Sequence, residues 1–317
     1  MDSRPVPGSG GDGGSNAPRS IAEVERDTGL PRATVRMWER RYGFPAPARD
    51  ARGERSYPAE QVEQLRLMRQ LVGQGHRPAR LLAAGLEDMR RLYAQSREAA
   101  PARRPRAAAA LLRLLRAHEA PAVRRELEAV LERSGLARFA TVDVPAMNLL
   151  VGEAWQAGEL EIHEEHLYSD SLYEVLRPAI ARLESTLRPE APRVLLTTFP
   201  QEPHGLGLLM AQAIFALQGC ESVQLGVRMP VAQIAAAARA YRTDLVALSF
   251  SRSAHPTQVL RGLEELRGML PVGIRIWAGG SCPALYKRAI AGVRAVADLV
   301  SIPDLLAEDF ALPPRPM

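Results

Sequence analysis

The 317-residue sequence contains only two cysteines, Cys220 and Cys282. Two thiols exclude the class of small secreted domains held by a disulfide framework, so the expected compartment is the reducing cytoplasm. Long apolar runs are also absent, because Arg, Gln or Pro interrupts each one, and this excludes a membrane-spanning helix of about 20 residues. Residues 1–19 lack an apolar core, which predicts a disordered tail and not a secretory signal.

What is present is an ordinary globular composition. Hydrophobic residues make up 46% of the chain and charged residues 24%, which excludes collagen-like, coiled-coil and wholly disordered proteins. The length is ample for sizeable cores and predicts roughly two domains.

Charge is distributed unevenly along the chain. Residues 1–106 carry a net charge of +7, whereas residues 107–317 carry −2. A basic front half suggests a module that binds a polyanion, joined to something else. Lysine occurs once, at Lys287, against 40 arginines. Codon bias therefore explains the composition equally well, and the arrangement of the residues has to decide.

Residues 20–43 have the pattern of a helix-turn-helix. Ser20 is suited to cap a first helix, and Gly29 supplies the left-handed residue that ends it. Pro31 fits the first turn of a second helix that runs to Tyr42. That helix is dense in donors able to hold phosphates and to read guanine edges in the major groove. The predicted DNA-binding residues on it are Arg32, Thr34, Arg36, Arg40, Arg41 and Tyr42.

A second DNA contact is predicted in the loop that follows. Residues 45–53 are polar and contain glycine, and they lead into Arg55 and Tyr57, a pattern typical of a small β-wing on the DNA backbone. An amphipathic helix over residues 59–71 completes the module. A plain helical hairpin without DNA binding is the alternative for any short helix pair.

These residues resemble a known family. The run Trp38-Glu39-Arg40-Arg41-Tyr42-Gly43, with Arg55, Tyr57 and the following helix, is similar to the winged helix-turn-helix of MerR-type regulators. It most resembles the branch that carries a cobalamin-binding domain. The resemblance implies a DNA-binding domain over 20–94 in a dimeric reader of a palindromic, double-stranded operator.

The middle of the chain is predicted to be helical. Residues 95–108 are rich in Ala, Pro and Arg and predict a linker. Four helical stretches follow within 109–189, and helices joined by short loops pack naturally as a four-helix bundle. An interaction or dimerisation bundle without a ligand is the alternative.

From residue 190 to 310 strand-like and helix-like segments alternate. Apolar runs at 194–198, 223–226, 245–250, 274–277 and 296–301 predict strands, with helices at 206–218, 231–241, 256–268 and 283–291. This alternation predicts a doubly wound, flavodoxin-like parallel sheet whose ligand lies at the carboxyl ends of the strands. The predicted fold class is therefore multidomain, α followed by α/β.

The loop after the first predicted strand carries Glu202, His204 and Gly207. A histidine at the carboxyl end of a parallel strand is placed to face a ligand, and a carboxylate two residues earlier can hold its second ring nitrogen. Gly207 removes a side chain where something must approach. A solvent-exposed loop histidine is the alternative.

The spacing Glu-x-His-x-x-Gly resembles the corrinoid-binding signature. The resemblance implies that His204 is the lower axial ligand of cobalt and that the dimethylbenzimidazole tail enters the sheet. Ser249 then matches the serine lining the tail pocket, and Gly279 and Gly280 match the glycine pair that lets the nucleotide pass close to the backbone.

A second set of candidate residues lies in the predicted bundle. Trp155 is followed by Glu165 and His166, with a turn at Ala157-Gly158 between two helices. Tryptophan is suited to cover an adenosyl group or a corrin face, and Glu and His can bind a ribose or an axial group. A core tryptophan beside a solvated helix start is the alternative.

This spacing of Trp155, Glu165 and His166 is the pattern of the cobalamin-dependent MerR-type photoreceptors, the CarH/LitR group. That resemblance implies a repressor that binds adenosylcobalamin. Light would cleave its Co–C bond, the upper-face contacts would rearrange, and the dimer or tetramer that holds DNA would come apart, which loses avidity.

The sequence departs from this group at several positions. In that group a histidine captures cobalt after illumination, and here Gln156 stands at its position. Capture of cobalt by a second histidine then requires that His163 or His166 take that role. Ser251 stands where the family usually has Leu, and Pro203 and Gly205 flank His204. Two alternatives therefore stay open: a redox, oxygen or cobalamin-level sensor on the same scaffold, and a corrinoid methyl carrier. A methyl carrier has no use for a helix-turn-helix, so we expect a regulator and not an enzyme.

Overall fold

A computed structural model describes residues 18–50, 53–73, 76–98, 106–252 and 254–315. The chain divides into two compact units. The first comprises Met1–Leu112 and Leu150–Glu165, and the second comprises Arg113–Leu149 and His166–Met317.

The first unit begins with the predicted winged helix. Its elements are β1 Arg19–Ser20, α1 Ile21–Thr28, α2 Arg32–Tyr42, β2 Ala48–Arg49, β3 Arg55–Tyr57 and α3 Ala59–Gly73. The strands form an antiparallel sheet in the order β1-β3-β2. The predicted tail over 1–19 thus ends in a strand residue, because Arg19 pairs with Tyr57. Residues 1–17 of that tail lie outside the described residues.

The predicted cap and turn of the helix-turn-helix are confirmed. The Glu23 amide donates to the Ser20 hydroxyl over 3.3 Å, and the Ser20 amide donates to the Glu23 carboxylate over 2.7 Å, which is a capping box. Gly29 has φ +68° and ends α1. Pro31 precedes α2 as its N-cap. Buried side chains from all three helices, including Val24, Trp38 and Met68, form the core of this domain.

Two further helices, α4 Pro78–Ala84 and α5 Leu86–Glu98, follow α3. The next helix, α6, covers Arg106–Arg116. The predicted linker over 95–108 is therefore helical at both ends, and residues 99–105 lie outside the described part of the chain.

The predicted helical region contains α7 Ala120–Arg138, a π-helical turn Phe139–Asp143, α8 Val144–Gln156 and α9 Ile162–Ala181. Together with α6, the helices α7, α8 and α9 supply all four predicted helical stretches. The predicted domain boundaries at 109 and 189 are not those of the compact units, since Leu150–Glu165 belongs to the first unit.

The second unit contains the predicted parallel sheet. The strands are β4 Val194–Thr197, β5 Ser222–Gln224, β6 Leu245–Phe250, β7 Arg275–Gly280 and β8 Arg294–Val296, in the order β5-β4-β6-β7-β8. The helices are α10 Leu206–Leu217, α11 Val231–Ala240, α12 Pro256–Met269, α13 Ala284–Lys287 and α14 Ile302–Phe310. This is the strand order of the flavodoxin-like doubly wound fold.

Three sequence boundaries in this sheet were wrong. The last strand covers Arg294–Val296 and not 296–301, and the helix predicted at 283–291 ends at Lys287. Gly279 and Gly280 are the last two residues of β7 and do not follow it. The prediction also omitted α14, whose apolar side, with Ile302 and Leu306, is buried.

Both cysteines are buried free thiols. Burial raises the pKa of the Cys220 thiol to about 12. Within the described residues, no helix is both long and apolar enough to cross a membrane.

Candidate functional site

The second helix of the winged helix presents the predicted basic surface. Arg36, Arg40 and Arg41 are exposed, and the Arg41 guanidinium lies 5.4 Å from the centre of the Tyr42 ring. Val35 and Trp38 on the opposite side are buried. Helical periodicity therefore separates a core face from a donor face.

Two of the predicted DNA-binding arginines are held by carboxylates. Arg32 Nε lies 2.7 Å from Glu25 Oε2, and Arg55 Nε lies 3.1 Å from Glu39 Oε1. Both pairs are partly exposed. Each ion pair orients an arginine, and each would have to loosen for that arginine to reach a phosphate. Thr34 is half-buried on the first turn of α2.

The structure does not support the predicted DNA contact from Tyr57. Its side chain is 0% exposed and belongs to the core of the winged helix. Arg55, two residues earlier on β3, is half-buried, and its side chain is 32% exposed. Arg55 is thus the residue of this pair that can serve the wing.

The loop between β4 and α10 holds Glu202 and His204 as a hydrogen-bonded pair. His204 Nδ1 lies 2.5 Å from Glu202 Oε1, and the His204 amide donates to the same oxygen over 3.1 Å. Glu202 is 2% exposed, whereas the His204 side chain is 61% exposed. The carboxylate fixes the tautomer and leaves Nε2 as the nitrogen available to a metal. The hydrogen bond expected between this carboxylate and the imidazole is therefore present, and the role of His204 toward a metal stays a prediction.

Glu202 is ionised in this arrangement. Burial by itself raises the pKa of its carboxyl, but the hydrogen bonds from His204 and Ser251 outweigh burial and hold the pKa below its usual value. The loop is fixed further by Thr198, whose hydroxyl donates to the Glu202 carbonyl over 2.7 Å and accepts from the Arg228 amide over 2.9 Å.

Ser251 is a site residue that the sequence analysis registered only as a departure from the family. Its amide and its hydroxyl donate to Glu202 Oε2 over 2.7 and 2.8 Å. A leucine at this position would keep the amide bond and lose the hydroxyl bond. The departure thus supplies one of the donors that satisfy the buried carboxylate, which sequence spacing alone did not indicate.

Gly207 and Ser249 face each other. A Cβ on Gly207 would lie 2.6 Å from Ser249 Oγ. The first turn of α10 and the end of β6 therefore approach so closely that only glycine fits. Gly207 adjoins the His204 loop, so the serine and the histidine belong to one end of the sheet.

The glycine pair has a structural reason that the sequence analysis did not identify. A Cβ on Gly280 would lie 2.2 Å from the Phe250 carbonyl oxygen, and one on Gly279 would lie 3.2 Å from that of Val296. Gly280 also has φ +107°. The Phe250 backbone thus requires a glycine at position 280, and Gly279 packs tightly against β8. The predicted role of both glycines beside a nucleotide remains a prediction.

Two tyrosines near this end of the sheet were not predicted. The Tyr173 hydroxyl lies against the backbone of Gly205, where a Cβ would approach it within 2.6 Å. The Tyr286 hydroxyl lies 2.6 Å from the Gly280 carbonyl oxygen and 3.0 Å from that of Val296. Isolated tyrosines carry no spacing signal, so only the structure assigns these contacts.

The predicted upper-face residues are divided between the two units. Trp155 is in the last turn of α8 and Glu165 in the first turn of α9, both in the first unit, whereas His166 belongs to the second unit with His204. The Gln156 side chain lies outside the described residues. The structure therefore brings together Glu202, His204, Gly207 and Ser249, and the assignment of Trp155, Glu165 and His166 to the same ligand stays a prediction.

The residues of the second unit fit a corrinoid by their chemistry. Imidazole is a suitable ligand for cobalt, and a buried carboxylate sets its tautomer.

Comparison with protein-family models supports both halves of this description. The model for the MerR HTH family regulatory protein matches residues 19–81. The model for the B12 binding domain matches residues 192–304. The second match contains Glu202, His204, Gly207, Ser249 and Ser251.

Curated proteins resemble the chain over most of its length. The HTH-type transcriptional repressor CarH of Myxococcus xanthus is 33% identical over 266 residues, which cover 80% of this chain and 85% of that protein. The HTH-type transcriptional repressor CarA of the same organism is 29% identical over 270 residues, covering 82% and 86%.

A solved structure shares the fold. The Methanosarcina barkeri monomethylamine corrinoid protein matches with a TM-score of 0.50 at 14% identity, covering 62% of this chain and 95% of that chain. At this identity the likeness concerns the fold alone.

Proposed function

The chain belongs to the family of MerR-type transcriptional regulators that carry a cobalamin-binding domain, and from this premise we propose that it is a light-sensing repressor that uses adenosylcobalamin. The observation that carries the proposal is the oriented pair of Glu202 and His204 at the carboxyl end of β4. The similarity to two repressors supports repression. A protein that binds an operator works in the cytoplasm.

His204 is the proposed lower axial ligand of cobalt. Glu202 holds Nδ1, so the lone pair of Nε2 points away from the carboxylate and is free to bind metal. Ser251 in turn keeps Glu202 ionised and immobile. Gly207, Ser249, Gly279 and Gly280 would line the path of the nucleotide tail.

Trp155, Glu165 and His166 are the proposed upper-face residues. Adenosylcobalamin, when bound, supplies a cobalt–carbon bond that visible light breaks. Trp155 would exclude water from that bond, while Glu165 and His166 would hold the ribose by hydrogen bonds. Loss of the adenosyl group removes what these side chains bind, which is the proposed signal.

DNA binding is proposed to depend on the oligomer. One winged helix offers a small set of arginines, mainly Arg36, Arg40 and Arg41, and a single module of this size binds weakly. Joining two or four copies on one operator multiplies affinity through effective concentration. Illumination would separate the copies and release the operator.

A second candidate function is light-independent sensing of cobalamin level or redox state. The observation that favours it is Gln156, because an amide is a poor cobalt ligand and does not trap the metal after illumination. The two functions differ in one result: only the first requires that green light change the oligomer.

The test of cobalamin binding is an absorption spectrum of the purified protein with adenosylcobalamin, taken in the dark and after green light. We expect a bound corrinoid whose spectrum changes in His204→Ala. His255→Ala is the matched control, since His255 is exposed at the start of α12 and outside the predicted site. An unchanged spectrum in His204→Ala removes the axial assignment, and no bound corrinoid removes the proposal.

The test of DNA binding is titration of an operator fragment at several salt concentrations. Arg36→Ala should weaken binding about tenfold or more, as loss of a good base contact costs roughly 1–3 kcal/mol. Arg133→Ala, an exposed arginine of α7, is the control. Specific operator binding by the wild type discards the methyl-carrier alternative. Methyl transfer to a thiol without DNA binding discards the regulator.

A further inference from the structure

Trp155 packs against the helix-turn-helix. The Arg69 guanidinium carbon, on α3, lies 4.8 Å from the centre of the Trp155 ring. The edge of the same ring faces the turn between α1 and α2, where a Cβ on Gly29 would lie 3.5 Å from Cη2. We call the surface formed by Gly29 and Arg69 the Trp155 seat.

The seat holds the indole by a partly desolvated cation–π contact. Arg69 is half-buried beside the indole, and this burial lowers the pKa of its guanidinium. A cation over an indole is attracted more strongly when water is excluded. Gly29 adds an ordinary van der Waals contact at the ring edge.

The turn after Trp155 is attached to the same domain. The Tyr93 hydroxyl, on α5, donates to Glu161 Oε1 over 3.1 Å. Residues 150–165 form one compact unit with the winged helix. Trp155 and Glu161 thus both hold the connection between α8 and α9 to the DNA-binding domain.

The fit of the indole in the seat is incomplete. Trp155 Nε1 is buried and has no hydrogen-bond acceptor among the described residues. A buried N–H without a partner favours any state in which it finds one. The cation–π contact with Arg69 stabilises this position of the indole, whereas the unpaired N–H favours another position in which it can donate a hydrogen bond.

We propose that the Trp155 seat is a latch that couples the cobalamin site to the helix-turn-helix. The latch rests on the proposed function, since it assumes that Trp155 also covers bound cobalamin. One indole occupies one place at a time. In the latched state Trp155 lies on Gly29 and Arg69, and it leaves them when the protein takes up cobalamin.

This arrangement makes the two contacts antagonistic. If only the unlatched state binds cobalamin with full affinity, the observed affinity equals the full affinity multiplied by the unlatched fraction. By linkage, whatever weakens the seat strengthens cobalamin binding, and bound cobalamin frees the helix-turn-helix turn. The latch thus supplies a regulation by cobalamin that is separate from light.

The first test is the dissociation constant of adenosylcobalamin in the dark for Arg69→Ala. We expect binding about twofold to thirtyfold tighter than wild type, the range set by a cation–π contact. Arg90→Ala is the control, because Arg90 pairs with Glu63 and Glu87 on the surface of the same domain. Equal or weaker binding by Arg69→Ala, with Arg90→Ala unchanged, overturns the latch.

A second variant guards against misfolding of the first. Gly29→Asn keeps a residue that tolerates positive φ and adds atoms beside the indole. It should also tighten cobalamin binding, whereas unchanged or weaker binding contradicts the latch.

Hydrogen exchange gives a readout independent of affinity. In the wild type, cobalamin in the dark should increase exchange at residues 28–32 relative to the same protein without cobalamin. Unchanged exchange in a wild type that binds cobalamin overturns the latch alone. If the wild type binds no cobalamin, the proposed function itself has failed, so the two failures are distinguishable.

Discussion

The loop that carries His204 and the helix end that carries Trp155 are held in different ways. The loop takes its hydrogen bonds from the two strands beside it, through Thr198 after β4 and Ser251 after β6. Trp155 is held by residues more than 80 positions away, Gly29 and Arg69, through a cation–π contact and an edge contact.

The two regions differ in whether their buried polar groups have hydrogen-bond partners. In the loop the buried carboxylate of Glu202 accepts from His204 and Ser251 on both of its oxygens. At the Trp155 seat a buried N–H has no acceptor in the described part of the chain. A satisfied network resists rearrangement, whereas an incomplete one exchanges readily. We infer that the loop is preorganised and that Trp155 is the movable part.

The largest effect should follow from breaking the loop network. Glu202→Ala leaves the Ser251 and His204 donors without their acceptor, and we expect it to lower the free energy of unfolding of the second unit by about 3 kcal/mol. Urea unfolding followed by circular dichroism measures this. Ser251→Ala removes a single hydroxyl bond and should cost about 1 kcal/mol. Equal costs for the two variants would show that Glu202 is not the centre of the network.

The close approach at Gly207 should give the next largest effect. Gly207→Ala places a methyl group 2.6 Å from Ser249 Oγ, and such overpacking costs roughly 1–3 kcal/mol. The double variant Gly207→Ala/Ser249→Ala removes the clashing oxygen and should recover most of the loss. Thermal unfolding of the two single variants and the double variant tests this. Additive losses without recovery would mean that the clash is not with Ser249.

A smaller effect is expected from pH. The pKa of Glu202 is below its unfolded value of 4.5. The unfolded chain therefore binds a proton first, so the stabilisation is complete above about pH 4.5 and is lost as pH falls toward the folded pKa. Urea unfolding between pH 5 and 3 should show a shallower loss for Glu202→Gln than for wild type. Glu265→Gln, an exposed carboxylate on α12, should keep the wild-type slope.

The smallest effect is expected at the Trp155 seat. Trp155→Phe keeps an aromatic face for Arg69 and removes the unsatisfied N–H, so the two changes oppose each other and the net cost should stay within about 0.5 kcal/mol. Trp38→Phe is the comparison, because Trp38 is 4% exposed in the core of the winged helix. It should cost roughly 1–3 kcal/mol. If Trp155→Phe costs as much in thermal unfolding as Trp38→Phe, Trp155 is an ordinary core residue.

Local signals predicted much of the fold. The Ser20 cap, the Gly29 turn and the five strands of the parallel sheet all follow from patterns within a few residues. The donor face of α2 also follows, since helical periodicity opposes it to Val35 and Trp38. Tyr57 was misassigned because its burial comes from packing in the core of the winged helix, which no local pattern shows.

Contacts between distant segments were not predictable in this way. Ser251 binds Glu202 across 49 positions, and the reason for Gly280 is a carbonyl on the neighbouring strand. The final helix, α14, was not predicted, because the last apolar segment, 296–301, was assigned to a strand and the chain after it was left without an element.

The sequence alone determined the two kinds of domain, the basic helix and the spacing of Glu202 and His204, because each is written within one element or one loop. Tertiary structure decided which oxygen of Glu202 meets which donor, that Tyr57 is core, and that Trp155 lies on Gly29 and Arg69. The physical reason is the separation along the sequence of the residues that interact. Helix caps, turns and periodicity depend on neighbours along the chain, whereas burial and pairing depend on segments that only folding brings together.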